Sequence, residues 1–162
     1  MKGKRILIVG MAKSGQAAAK RLLPMGAFVY LNDKRNIEQF NGQLDCFDDE
    51  HVKVCLGVEP EKLLNEVDMV VISPGVPIQS EFIKQAQLMG IEVIGEIELA
   101  FRIGCAPVAG ITGTNGKTTT TALTGEIFKA SGRQTHVVGN IGEPYIAIEN
   151  EQPGDMVVAE IS

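Results

Sequence analysis

Apolar residues fall along this chain in short runs, separated by polar stretches that carry glycine or proline. The first run, Arg5-Ile6-Leu7-Ile8-Val9-Gly10, is continuous and ends on glycine. A run without alternation predicts a strand covered on both faces, as in a parallel sheet. The alanine-rich stretch from Gln16 to Leu23 predicts a helix lying close to that sheet, closed by Pro24 and Gly26. Further strands are expected at residues 28–31, reaching Asn32 and Asp33, and at residues 52–57, 68–72 and 91–94. Between them Pro60 can open a short helix through Leu64, and Ser80 can cap a helix to Met89 with Gly90 just past its end. Residues 36–49 are indistinct, with Ile37, Phe40 and Leu44 at loosely helical spacing. Strands alternating with helices predict a small doubly wound α/β unit over residues 1–95.

The rhythm then restarts. A connecting helix is expected at residues 96–102, followed by a link at 104–107, a strand at 108–111 and a helix at 117–130 closed by Gly132. A strand at 135–138, the turn Gly139-Asn140-Ile141-Gly142, a short helix at 145–149, a Pro153-Gly154 turn and a strand at 156–159 complete the pattern. Residues 96–162 thus read as a second α/β unit with three strands. Open sheets usually have more, so the expectation is the first part of a larger domain and a fragment of a longer protein.

Composition narrows the function. With 44% hydrophobic and 22% charged residues the chain reads as an ordinary globular protein. A net charge of −5 argues against a nucleic-acid partner held by a basic face. The 3 cysteines are odd in number and lack CxxC spacing, as expected of reduced thiols. No stretch approaches the ~18 apolar residues of a membrane span, and the expected location is cytoplasmic. His51 and His136 lie far apart, without ligand-like neighbours, and read as structural or surface residues.

The candidate chemistry sits in two loops. The first is Gly113-Thr114-Asn115-Gly116-Lys117-Thr118-Thr119, between an apolar strand and a helix. A phosphate cradle needs that order: glycines let backbone N–H groups approach phosphate oxygens, the helix N-terminus adds positive potential, and lysine neutralises the β- and γ-phosphates. The strict G-x-x-x-x-G-K-[ST] pattern would put glycine at 111, where Ile111 stands between Gly110 and Gly113, so this is a shifted variant. The bland alternative is a Gly-rich turn with a solvated lysine. The reading taken is an ATP site, with the Thr118 hydroxyl on Mg²⁺ and Glu160, directly after a hydrophobic strand, as a second metal ligand. For Glu160 the alternative is a plain surface acid. The second loop is Gly10-x-Ala12-x-x-Gly15, a dinucleotide fingerprint with alanine at its middle glycine, and Asp33 follows at the end of the second strand. Ala12 implies a displaced or differently held diphosphate. Ser73-Pro74-Gly75 ends another strand, where open α/β sheets bind ligands.

Gly10-Met11-Ala12-Lys13-Ser14-Gly15, Ser73-Pro74-Gly75, the Thr114-Asn115-Gly116-Lys117-Thr118 loop, Gly139-Asn140-Ile141-Gly142 and Ala159-Glu160-Ile161-Ser162 occur in one order. In this the chain closely resembles the Mur ligases of bacterial peptidoglycan synthesis over essentially its whole length. The Ala12-Lys13-Ser14-Gly15 loop points within the family to the branch that adds D-glutamate. The resemblance implies a Rossmann-like UDP-sugar domain at 1–95 and part of a P-loop-type α/β ATPase domain at 96–162. It implies ATP and Mg²⁺ as cofactors and UDP-N-acetylmuramoyl-L-alanine and D-glutamate as substrates. It further implies an acyl phosphate that the amine of D-glutamate attacks. Gly113 to Thr119 would bind ATP, with Lys117 and Asn140 in catalytic roles and Thr118 and Glu160 on the metal. Ala12, Lys13, Ser14, Gly15, Asp33, Lys34, Arg35, Ser73, Pro74, Gly75 and Asn140 would bind the UDP-sugar. A carbamylated lysine and the D-glutamate contacts of the family are expected beyond Ser162, leaving this chain inactive alone. The alternatives are the L-alanine-adding branch, a non-catalytic nucleotide sensor, and an NAD-dependent oxidoreductase resting on the first loop and Asp33, which leaves the Gly-Lys-Thr loop unexplained.

Overall fold

The computed structural model describes residues 1–140 and 142–161. It contains two compact units, Met1–Glu96 and Ile97–Ser162.

The first unit holds strands β1 (Arg5–Val9), β2 (Phe28–Asp33), β3 (Val52–Leu56), β4 (Met69–Ile72) and β5 (Glu92–Gly95), with helices α1 (Lys13–Leu22) and α2 (Glu81–Leu88). Neighbouring strands are all parallel, in the order β3-β2-β1-β4-β5. This is the doubly wound arrangement anticipated from the alternating pattern. The chain runs outward in one direction from β1 through β2 and β3, and in the other through β4 and β5. The reversal opens a crevice at the carboxyl ends of β1 and β4, where such sheets take their ligands.

The unbroken apolar character of β1 follows from cover on both sides. Leu7 and Val9 pack with Val70 of β4 and with Phe82, Ile83 and Ala86 of α2. The pleat turns Ile6 and Ile8 to the opposite face, where α1 lies against β1 and β2 and Ala18, Ala19 and Leu22 are buried. The alanines of α1 let its backbone sit close.

Residues 36–49 form two short 3-10 turns, Ile37–Phe40 and Asp45–Phe47, and Pro60–Glu66 is also 3-10. A period of three residues in pieces this short leaves no amphipathic stripe, hence the indistinct pattern. Ser80 does not cap α2. Its hydroxyl donates to the Pro77 carbonyl at 2.6 Å, and α2 starts at Glu81 with no side-chain cap. The carboxylate in its first turn serves the helix dipole instead.

The second unit contains α3 (from Glu96–Ile103), β6 (Val108–Ile111), α4 (Lys117–Ala130), β7 (Thr135–Gly139) and β8 (Met156–Glu160). The strands are parallel in the order β6-β8-β7, with α4 against all three. Every residue of β8, the central strand, is buried. The helix expected at 145–149 is a single 3-10 turn, Tyr145–Ala147, anchored by buried Ile146. Strands β7 and β8 each run one residue further than anticipated, which draws Gly139 and Glu160 into the ladder.

Candidate functional site

In the first unit the crevice is lined by the loop between β1 and α1. Gly15 must be glycine because a Cβ there would collide with the Gly10 carbonyl oxygen, so the first turn of α1 presses directly on the end of β1. Ala12, the N-cap of α1, has an extended backbone (φ −77°, ψ −166°), which explains why alanine stands at the middle place of the fingerprint. No side chain caps α1, and its first turn carries no acid. The N–H groups of Lys13, Ser14 and Gly15 therefore open toward the crevice as an anion seat. Ser14 is buried, whereas Lys13 and Lys34 are exposed.

Asp33, buried at the end of β2, ties this loop to the next one. Its carboxylate accepts from the Met11 N–H at 2.7 Å and from the Arg35 backbone N–H, Nε and Nη2 at 2.9, 3.0 and 2.9 Å. The Arg35 guanidinium, helped by the two backbone donors and opposed by burial, holds the carboxyl down at about 2. The same pairing raises Arg35, whose guanidinium lies 4.2 Å over the Phe40 ring. Across the crevice Ser73 donates its hydroxyl to the Gly10 carbonyl at 2.7 Å, pinning the end of β4 to the end of β1. Pro74 and Gly75 are exposed beyond it. Sequence reasoning missed Asn32. It is buried in β2, and its amide donates to the carbonyls of Cys55 and Val58 at 2.9 and 2.8 Å, fixing the chain after β3. A polar residue inside an apolar strand was the available signal.

In the second unit β6 leads through Thr112 to Gly116 into α4. Gly116 is the N-cap, with no side-chain cap, so the first amides of α4 are also open. Lys117 turns back on its own loop, Nζ donating to the Gly113 carbonyl at 2.7 Å. Thr114, Asn115, Thr118 and Thr119 are exposed, and buried Thr121 donates its hydroxyl to the Lys117 carbonyl at 2.8 Å. Glu160 ends β8 in register with Ile111 of β6 and Gly139 of β7. It is 5% exposed, and its Oε2 has no hydrogen-bond partner. A buried carboxylate oxygen left bare is costly. A cation at that oxygen removes the cost. Asn140 is exposed beside it, its N–H donating to the Glu160 carbonyl at 3.2 Å. The Lys117 loop, Glu160 and Asn140 thus share the carboxyl end of one sheet. Ile141 of the Gly139–Gly142 turn and Ser162 lie outside the described residues.

Among the described residues no group of three or more His, Cys, Asp or Glu could hold a metal. The bare Oε2 of Glu160 offers a single hard carboxylate oxygen, a donor that fits an ion of the magnesium kind. His136 lies at the other end of β7, its Nε2 3.0 Å from Asp155, and serves the fold. His51 is paired with Asp49 on the surface. No helix among the described residues is long and apolar enough to cross a membrane.

Comparison with known proteins gives the family of both units. The Mur ligase MurD-like N-terminal domain matches residues 4–95, and the Mur ligase middle domain matches residues 111–160. The chain belongs to the Mur ligase family. It is 46% identical over 166 residues to the UDP-N-acetylmuramoylalanine–D-glutamate ligase of Alkaliphilus metalliredigens (strain QYMF), covering 100% of this chain and 36% of the relative. Against the ligase of the same name from Clostridioides difficile (strain 630) the identity is 45%, again over 100% of this chain and 36% of the relative. Among solved structures, a pseudomurein peptide ligase type C from Methanothermus fervidus superposes with a TM-score of 0.53 at 29% identity, over 98% of this chain and 33% of that one. A UDP-N-acetylmuramate-alanine ligase from Thermotoga maritima, at 19% identity and a TM-score of 0.51 over 97% of this chain and 36% of that one, shares the fold.

Proposed function

We propose that this chain supplies the UDP-sugar and ATP surfaces of an ATP-dependent ligase that joins D-glutamate to UDP-N-acetylmuramoyl-L-alanine. The observation that carries the reading is the bare, buried Oε2 of Glu160, set in register with the strand that leads into the Lys117 loop. Similarity to ligases of that name over the full chain supports the substrates. Because the chain spans 36% of the relatives' length, the complete reaction is proposed for a protein of their size.

Residues 1–95 receive the nucleotide sugar. The amides of Ala12 to Gly15 and the Ser14 hydroxyl take the diphosphate, with Lys13 as a nearby charge. Asp33, Lys34, Arg35 and the Ser73-Pro74-Gly75 turn frame the uridine, Asp33 by holding Arg35 and Ser73 by holding Gly10. Residues 96–162 belong to the ATP domain. Amides from Gly113 to Thr119 cradle the phosphates, and Lys117 exchanges the Gly113 carbonyl for the β- and γ-phosphate oxygens. Thr118 and Glu160 would hold Mg²⁺, which would offset the triphosphate charge. Asn140 orients the acyl end of the sugar substrate. The substrate carboxylate oxygen bonds to the γ-phosphorus as the bridging P–O bond breaks and ADP leaves. The amine of D-glutamate then adds to the acyl carbon, loses a proton and expels phosphate as the acyl C–O bond breaks. A carboxylate approaching a polyanion meets repulsion, so positioning and neutralisation are what these residues contribute. The oxidoreductase reading loses its main support, because the Asp33 carboxylate that would take a ribose hydroxyl is already filled by Met11 and Arg35.

In a protein of the relatives' length, Lys117→Ala should lower ligation by about 10²–10³-fold and leave UDP-sugar affinity unchanged by calorimetry. Turnover equal to the parent would overturn the ATP assignment.

A further inference from the structure

One peptide group connects the parts of the second unit's site. The Glu160 carbonyl accepts from the Asn140 N–H at 3.2 Å, and the Ile161 N–H, on the other side of the same peptide plane, donates to the Ile111 carbonyl at 2.8 Å. The Glu160–Ile161 peptide is thus a bridge from the Asn140 turn at the end of β7 to the last residue of β6, where the phosphate loop begins. The Glu160 carboxylate departs from this bridge. Gly139 lies against it. Its φ is +105°, and a Cβ built there would strike the Glu160 carbonyl oxygen and come to 3.0 Å from Glu160 N and 3.1 Å from Glu160 C. A side chain at 139 would have to displace backbone, which cannot fold away like the end of a flexible side chain.

We infer that Gly139 is a positioning residue for the divalent-cation carboxylate: its missing side chain sets the Glu160–Ile161 peptide, and through it the direction of Glu160 and the placement of Asn140. The inference rests on the ATP–Mg²⁺ reading above and adds a residue that touches neither ligand. Supports of a metal ligand act in this way elsewhere, and losing one costs about 10–100-fold in metal affinity.

The test uses the 162-residue chain with Mn²⁺ and ATP as probes, read by NMR and calorimetry. In the unmodified chain, Mn²⁺ with ATP should broaden the amides of Asn140 and Ile161 together with those of the loop from Gly113 to Thr119. In Gly139→Ala, affinity for ATP with Mg²⁺ should fall about tenfold, while affinity for ATP alone is unchanged. Gly132→Ala is the control for backbone strain, since Gly132 has φ +84° but nothing within 4 Å of the added Cβ, and it should bind like the parent. A folded Gly139→Ala chain with unaltered Mg²⁺ dependence overturns the inference. Should that variant not fold, the unmodified chain still decides: loop amides that broaden while Asn140 and Ile161 stay sharp overturn it equally. If no loop amide responds to nucleotide at all, it is the ATP reading that fails.

Discussion

Asp33 and Asp68 have carboxyls pulled down alike, to about 2, by a neighbouring guanidinium. Their surroundings differ. Asp33 is buried and accepts from Met11 as well as Arg35, whereas the Arg5–Asp68 pair is 48% and 40% exposed and largely screened by water. A carboxyl whose folded pKa is depressed contributes stability that is present above its unfolded value near 4 and is lost as pH falls toward 2. Asp33→Asn should therefore cost about 2 kcal/mol at neutral pH. Urea unfolding should show that deficit shrink steadily between pH 4 and pH 2, and an equal deficit at both ends would refute the linkage. Asp68→Asn should move far less. At this scale the sequence was informative about identity and silent about partners. The position of Glu160 after an apolar strand announced an acid at the site, but its bare oxygen depends on what surrounds it in space. Asp33 was legible as an acid at a strand end, yet only the fold reveals that its lone pairs are filled by the chain itself.

The two helices that follow the proposed phosphate-binding loops, α1 and α4, both start without a side-chain cap. A cap would stabilise either helix by satisfying amides that a ligand needs free. Ala12→Asp puts stability and binding in opposition. The new carboxylate should stabilise the first unit by about 1 kcal/mol in denaturant unfolding. It should also weaken UDP-sugar binding by about tenfold or more, because it occupies the anion seat with a charge of the same sign. Calorimetry showing affinity retained would remove the diphosphate from that helix end. Elements with a strong period were readable in advance: the parallel strands from continuous apolar runs, α1 from alanine and α4 from its place after the loop. Segments at 37–40 and 45–47 were not, because single 3-10 turns are decided by the packing of one or two residues such as Phe40 and Phe47, whereas the short helix that Pro60 was expected to open is present as the 3-10 helix Pro60–Glu66.

The two units bury very different amounts of apolar side chain, the first around a five-stranded sheet and the second around three strands. Small cores give small margins, so urea should unfold the chain in two steps, with the second unit first. UDP-sugar should delay mainly the later step and ATP with Mg²⁺ mainly the earlier one, by about 2.7 kcal/mol at a hundredfold excess over Kd. Segment-resolved hydrogen exchange would check this, and one step moved by both ligands would contradict it. The order β6-β8-β7 has a temporal side as well. The middle strand is the last of the three to be made, and among the described residues the outer two pair with it and not with each other. On a ribosome β6 must wait some fifty residues (about 2.5–10 s at ~5–20 residues per second) before its hydrogen-bonded neighbour β8 arrives. A nascent chain stalled between the end of the first unit and β8 would carry a finished five-stranded sheet and a second unit whose strands have no ladder to join.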